Sequence, residues 1–427
     1  MVKNWSILAG LIFCIQAFIA CSDTVSSSVE DEITKPQSSI EEPVKPDSSS
    51  HEEIVEPDTI PHESGTDPDT VTETFDGIRT YIWGDSLGQL VSSDLYLPYP
   101  ADSFLNDFDF GDIVTVAIAG YDTLDIPVVE NGSDVPIAGF SLVPIKDSGF
   151  LSITVRYGQM ADILGITDVT TPIEVTISMK EKGGFLFGLE MRYAQYMDGY
   201  PENYPDLSIE EFANFREVRT TGMGKNKLYR SSSPIDNCLG RNLYADSLAR
   251  AAGVTTFINL TDTEDYAKSY KGYETTYYST QNVIYLSVSP EFYSRAFKDG
   301  MVQGFRFMIE HEGPYLVHCI YGMDRTGFTI AVLEALMGAT TEEIQADYAK
   351  TFTNYFNVVD GKQVTYNEQQ EDFFKNVVIR NLRSVYHADG IEVPYTDNID
   401  WVSVTEAFLE KQGMTPDEIS ALKDRLK

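Results

Sequence analysis

Residues 314–327 read Pro314-Tyr-Leu-Val-His-Cys-Ile-Tyr-Gly-Met-Asp-Arg-Thr-Gly327. Tyr315 to Val317 is a short apolar run, the pattern of a buried strand. Thr326 to Met337 is mostly apolar and too long for a strand, so it predicts a buried helix closed by Gly338. A strand that turns through a glycine-bearing loop into a helix N-terminus makes an anion site. First-turn amides and the helix dipole face the same point.

The residue types in the loop fit that role. Cys319 sits at the mouth of the positive loop, where the thiolate, its nucleophilic form, is favoured. Arg325 follows after five residues, enough chain to curl round a phosphate and present the guanidinium fork to two of its oxygens. Ile320, Tyr321, Gly322, Met323 and Asp324 supply the cradle between them, and Gly322 permits the backbone conformation that turns amides inward. Thr326 is placed to hydrogen-bond the sulfur, and His318 to brace the loop backbone. Asp324 would oppose phosphate if charged. It makes sense as a protonated carboxyl that gives its proton to the leaving oxygen.

The pattern His318-Cys319, five residues, Arg325-Thr326-Gly327 resembles the signature loop of the cysteine-dependent protein tyrosine phosphatases. With Asp324 directly before the arginine it resembles the bacterial tyrosine/dual-specificity members, whose loop aspartate is implicated as the acid. Asn214-Phe-Arg-Glu-Val218 and Lys227-Leu-Tyr-Arg-Ser-Ser-Ser-Pro234 resemble two segments that precede the loop in the same family. Where the family shows Asp-Leu-Arg, this chain has Asn259-Leu260-Thr261, so no role for that arginine carries over. The resemblance covers roughly half the chain, patchily. It implies an α/β fold: a parallel-sheet, tyrosine-phosphatase-like domain with helices on both faces.

The chain has 427 residues, with 66 acidic against 31 basic side chains and a formal net charge of -35. That balance argues against nucleic acid, whose affinity comes largely from Lys and Arg. Residues 1–20 carry one early cation, Lys3, then a largely apolar run from Ile7 to Ala20, the look of a secretory signal. The run ends Phe18-Ile-Ala-Cys21-Ser22, similar to a bacterial lipoprotein cleavage box with Cys21 as the lipidated residue, although Phe18 and Ile19 depart from the commonest box. Export, and a lipid anchor at the outer face of a bacterial membrane, are the corresponding expectations. Residues 21–75 are rich in Ser, Pro, Glu and Asp and have no apolar period, so they read as a disordered acidic spacer. His51 and His62 lie in it as solvated residues.

Residues 76–199 change to short β-like runs: Gly111 to Gly120, Leu124 to Val129, Phe150 to Tyr157 and Pro172 to Ser178. Gly, Asp and Pro punctuate them as in a β-sandwich or small barrel, a domain without an evident catalytic cluster. Residues 200–427 form the catalytic unit. Within it Leu243 to Ala252 predicts a helix, Val254 to Leu260 a buried strand and Phe292 to Glu312 an amphipathic helix. Thr340-Thr-Glu-Glu343 and Thr415-Pro-Asp-Glu418 are capping boxes that open two more helices.

Asp262 and Asp265 are alternative acids, because their loop follows a strand expected beside the signature strand. Asp236 is a remote third. Arg230 reads as a structural partner more than a phosphate ligand. Cys238 could pair reversibly with Cys319, but a buried, inert thiol is the preferred reading. No zinc spacing is present, so neither metal nor cofactor is expected. Met323 stands where related loops often carry Lys, which favours singly phosphorylated substrates such as phosphotyrosine. Tyr321 is placed to stack on a substrate ring. Three readings stand: a membrane-tethered phosphatase acting on a phosphorylated protein or small phosphomonoester; the same chemistry on inositol phosphates or phosphoinositides; and a catalytically silent surface binding protein.

Overall fold

The computed structural model describes residues 70–75, 78–81, 92–121, 123–146, 149–166, 173–193, 201–356, 358–359, 362–363, 368–394 and 399–427. The expected signal segment with Cys21, and the spacer as far as residue 69, lie outside the described residues; Thr70–Phe75, expected as the end of the spacer, instead pairs as a strand with Ile173–Ser178. Asp69–Lys427 forms one compact unit. No helix among the described residues is long and apolar enough to cross a membrane.

The first half is antiparallel. Strands β1 (Thr70–Phe75), β2 (Ile78–Tyr81), β3 (Ser92–Leu97), β4 (Ile113–Ile118), β5 (Leu124–Pro127), β6 (Phe140–Pro144), β7 (Leu151–Val155) and β8 (Ile173–Glu181) make two four-stranded sheets, ordered β1-β8-β4-β5 and β2-β3-β7-β6. Along β4 every second residue is buried, the period of a strand with one face on a core. Val114, Val116 and Val175 from one sheet share a hydrophobic cluster with Leu95, Leu142 and Ile153 from the other. Burying the inner faces of both sheets against each other is what makes this half a sandwich. Phe104 and Phe108 belong to the same cluster, their rings stacked at 4.4 Å.

The second half is built on a five-stranded sheet, ordered β12 (Asn282–Tyr285), β11 (Thr256–Asn259), β13 (Tyr315–His318), β10 (Leu228–Ser231) and β9 (Arg216–Glu217). The pairings are parallel except β10 with β9, which are antiparallel. Strand β13 is central and all four of its residues are buried. In register, His318 stands opposite Ser231 on one side and Asn259 on the other, so three strand ends stop at one level. Ligands in open α/β sheets sit beyond such ends.

Helices α1 (Asn242–Ala251), α2 (Arg295–Glu310), α3 (Asp324–Met337), α4 (Thr341–Phe356), α5 (Glu368–Ala388), α6 (Trp401–Lys411) and α7 (Pro416–Leu426) flank the sheet. Strand residues alternate between two cores. Leu228, Ile258 and Val317 pack with α2 and α3, whereas Tyr229, Phe257 and Leu316 pack with Ala245 and Ala249 of α1. The two halves also share apolar contacts. Ile137 and Ala138, from the antiparallel half, belong to the core around α3. Tyr293 packs against both cores, and its hydroxyl donates to the Ala138 carbonyl at 3.4 Å.

Candidate active site

The loop from Cys319 to Arg325 joins the end of β13 to the start of α3. Cys319 is only 3% exposed and its thiol is free. The carbonyls of three successive loop residues are all taken up from outside the loop. Ile320 accepts from the Ser233 N–H at 2.9 Å. Tyr321 and Gly322 accept from Asn214 Nδ2 at 3.1 and 3.2 Å, and Gly322 also from Arg230 at 2.8 Å. In a planar trans peptide the N–H lies opposite the C=O. The amides of Tyr321, Gly322 and Met323 therefore point the other way, into the loop, as an anion nest requires.

Gly322 is the pivot. Its φ is +67°, and a Cβ there would lie 2.2 Å from the Ser231 carbonyl oxygen. Only glycine fits both conditions. Behind the loop, Asn214 is fully buried with φ +51°, a conformation that Asn tolerates better than most residues. Arg216 donates to Asn214 Oδ1 at 2.6 Å and to Asp347 Oδ1 at 2.7 Å, and Arg230 donates to the other Asp347 oxygen. Burial alone would raise the Asp347 carboxyl, but the two guanidiniums overcome it and hold the group below the ordinary carboxylate range. Arg230 thus braces the loop from behind.

His318 is buried and neutral; burial lowers it to about 3. Its ring reaches the Tyr278 hydroxyl at 3.3 Å, and Asn259 Nδ2 donates to that hydroxyl at 3.1 Å and to Asp262 Oδ2 at 2.9 Å. Arg325 donates to the Val288 carbonyl at 3.0 Å, which anchors the guanidinium to the loop after β12. Thr326 is fully buried and its hydroxyl has no hydrogen-bond partner among the described residues. The bond to the Cys319 sulfur expected from the motif is not made here.

A sequence profile of the Tyrosine phosphatase family matches residues 207–427. The chain belongs to the tyrosine phosphatase family. No curated protein matches it. Among solved structures, an uncharacterized conserved protein from Thermotoga maritima is similar at 22% identity with a TM-score of 0.21; the match covers 26% of this chain and 37% of that one. The chain thus spans well under half of that relative's length, and at this TM-score the likeness carries no argument.

Of the carboxyls considered in this tyrosine phosphatase chain, Asp324 is half-buried in the first turn of α3. Burial raises it above the ordinary carboxylate range, and Arg156 and Arg325 pull against that. Asp262 is 2% exposed, and burial raises it too, opposed by hydrogen bonds from Asn259 and Tyr270. Asp236 is buried and likewise raised by burial. Asp265 lies exposed in the first turn of the helix Glu264–Ser269. Cys238 stands exposed on the turn Asn237–Leu239 and is disulfide-bonded, not the buried, inert thiol expected from the sequence; its partner is not Cys319, whose thiol is free.

Two parts of the site went unread in the sequence. Asp347 lies in α4, beyond the signature helix, and nothing in its neighbourhood marks it as a loop brace. Arg156 follows β7 in the antiparallel half. It nevertheless lines one cleft, about 640 Å³ in volume, with Tyr321, Met323 and Asp324 of the loop.

Proposed function

We propose that this chain is an exported, lipid-anchored phosphatase that hydrolyses phosphotyrosine and related aryl phosphomonoesters through a cysteinyl-phosphate intermediate. The observation that carries the reading is the buried, free Cys319 opening a loop whose carbonyls are pinned outward and whose last residue is Arg325. The family match over residues 207–427 supports phosphatase activity in general.

In the first step the Cys319 thiolate attacks phosphorus, the phosphorus–oxygen bond to the leaving alcohol breaks, and the proton on Asp324 passes to that oxygen. Arg325 and the inward amides take the charge on the equatorial oxygens. In the second step Asp324, now ionised, takes a proton from a water whose oxygen attacks the phosphocysteine. The sulfur–phosphorus bond breaks, and thiolate and inorganic phosphate are released. No step calls for a metal.

The cleft beside the loop supports an aryl substrate. Tyr321, Tyr348, Phe352 and Phe373 line it, and Met323 gives the loop no second cation. The apolar run Ile7 to Ala20 followed by Cys21 supports export and anchoring at the outer face of a bacterial membrane. The test is phosphate release by the whole chain, with EDTA present, from p-nitrophenyl phosphate and a phosphotyrosine peptide, beside Cys319→Ser. Turnover that ignores EDTA and disappears in the serine variant is expected. Equal turnover in both proteins, or turnover confined to inositol hexakisphosphate, would overturn the proposal.

A further inference from the structure

We propose that Arg156, contributed by the antiparallel half, is the substrate-selecting cation of this site, so that the preferred substrates are phosphomonoesters with a second anionic group beside the scissile phosphate. The inference rests on the phosphatase reading above and deepens it.

Four observations converge on Arg156. It lines the same cleft as Tyr321, Met323 and Asp324. Its position is fixed: its N–H donates to the Gly139 carbonyl and its carbonyl accepts from the Ala138 N–H, both at 2.9 Å. One guanidinium nitrogen donates to the Val135 carbonyl at 2.7 Å, which orients the fork without neutralising it. Arg156 forms no ion pair among the described residues, although its field reaches Asp324. The other acid on the cleft, Asp134, accepts from the Asn131 N–H at 3.0 Å within its own turn.

A guanidinium held in a cleft partly lined by aromatic rings, with donors left over, is set up for a carboxylate or phosphate that arrives with the substrate. The scissile phosphate is held by the loop and Arg325. Arg156 comes from outside the loop, on the cleft that adjoins it, so its anion belongs to the leaving-group side. Met323 removes a cation from the loop, and the antiparallel half restores one elsewhere. The anion is either the side chain of an acidic residue next to phosphotyrosine or a second phosphate on a small molecule, and the chemistry of recognition is shared.

The test uses the whole chain as wild type, Arg156→Met and Arg156→Lys. Each protein is given two substrate pairs: a phosphotyrosine peptide with flanking Glu against the same peptide with Gln, and an aryl bisphosphate against the monophosphate. The readout is the ratio of kcat/KM within each pair, from which the folded fraction of a variant cancels. Wild type should prefer the more anionic member of one pair by about tenfold. That ratio should fall to about one in Arg156→Met and lie between in Arg156→Lys, and the pair that carries it names the source of the anion. A wild-type ratio near one in both pairs, or a ratio preserved in Arg156→Met, would overturn the proposal. The same pairs are titrated calorimetrically against Cys319→Ser with and without Arg156→Met. If no substrate turns over, the phosphatase reading falls, and the ratio of Kd values still decides Arg156 by the same criterion.

Discussion

Asp324 is under two opposing influences. Removal from water favours its neutral form, and the neighbouring cations Arg156 and Arg325 favour the charged one; burial prevails. A carboxyl raised in the fold binds its proton more tightly there than in the unfolded chain. It therefore costs stability above the ordinary carboxylate range, and that cost is relieved as pH falls toward the unfolded value. For catalysis the same shift keeps the acid protonated to higher pH. Asp324→Asn should lower kcat by roughly 10²–10⁴-fold and remove the alkaline limb of the pH–rate profile. It should also raise the melting temperature at pH 8 while matching wild type at low pH. A variant that keeps the alkaline limb would hand the acid role to Asp262. At this scale the sequence was legible where one short stretch holds everything, as it does for Cys319, Asp324 and Arg325. Arg156 was not legible, because only the packing of one half on the other brings it to the loop.

The signature loop as an element is a backbone device, and its parts come from far apart in the chain. Asn214 and Arg230 hold its carbonyls, and Asp347 holds Arg216 and Arg230. Gly322 is where the backbone of the loop passes against the end of β10. Gly322→Ala should therefore cost more than the usual strain of a left-handed residue, which is of order 1–3 kcal/mol, because the new methyl meets backbone that cannot give. Denaturant unfolding should show a loss of at least about 2 kcal/mol, with activity down more than would follow from the folded fraction. Wild-type stability and activity would show that the loop does not depend on this turn. The strand, loop and helix were readable from apolar periodicity and the closing Gly338. The segments around Asn214 and Arg230 stood out by resemblance only, since a bracing role depends on partners that the local sequence does not name. Helices α5 and α6 escaped notice because charged residues interrupt their apolar positions, and strand β12 because its four residues, Asn-Val-Ile-Tyr, are too short a run to show a period.

For the molecule as a whole, the antiparallel half is packed into the catalytic half. Ile137 and Ala138 sit in the core around α3, Phe185 meets Phe373 with ring centroids 5.8 Å apart, and Tyr293 touches both cores. Shared apolar contacts of this kind couple the unfolding of two parts. Calorimetry should give one unfolding transition. Tyr293→Ala, which removes a ring from both sides, should lower stability by about 2 kcal/mol and begin to split that transition. Two independent transitions in the wild type would mean that the halves fold separately and that the cleft wall is not fixed. Antiparallel sheets, as a sandwich or a small barrel, were foreseen from alternating runs such as β7 and β8. Their contact with the catalytic half was not, because nothing in a strand pattern says which face meets a neighbour.

The most direct test of the central claim is to trap the intermediate. The whole chain is mixed with an aryl phosphate, quenched in acid during turnover, digested, and the peptide containing Cys319 is weighed by mass spectrometry. A phosphoryl group on that peptide, present in wild type and absent in Cys319→Ser, is the predicted result. Steady turnover with no phosphoryl group on Cys319, or with one on another residue, would contradict the account.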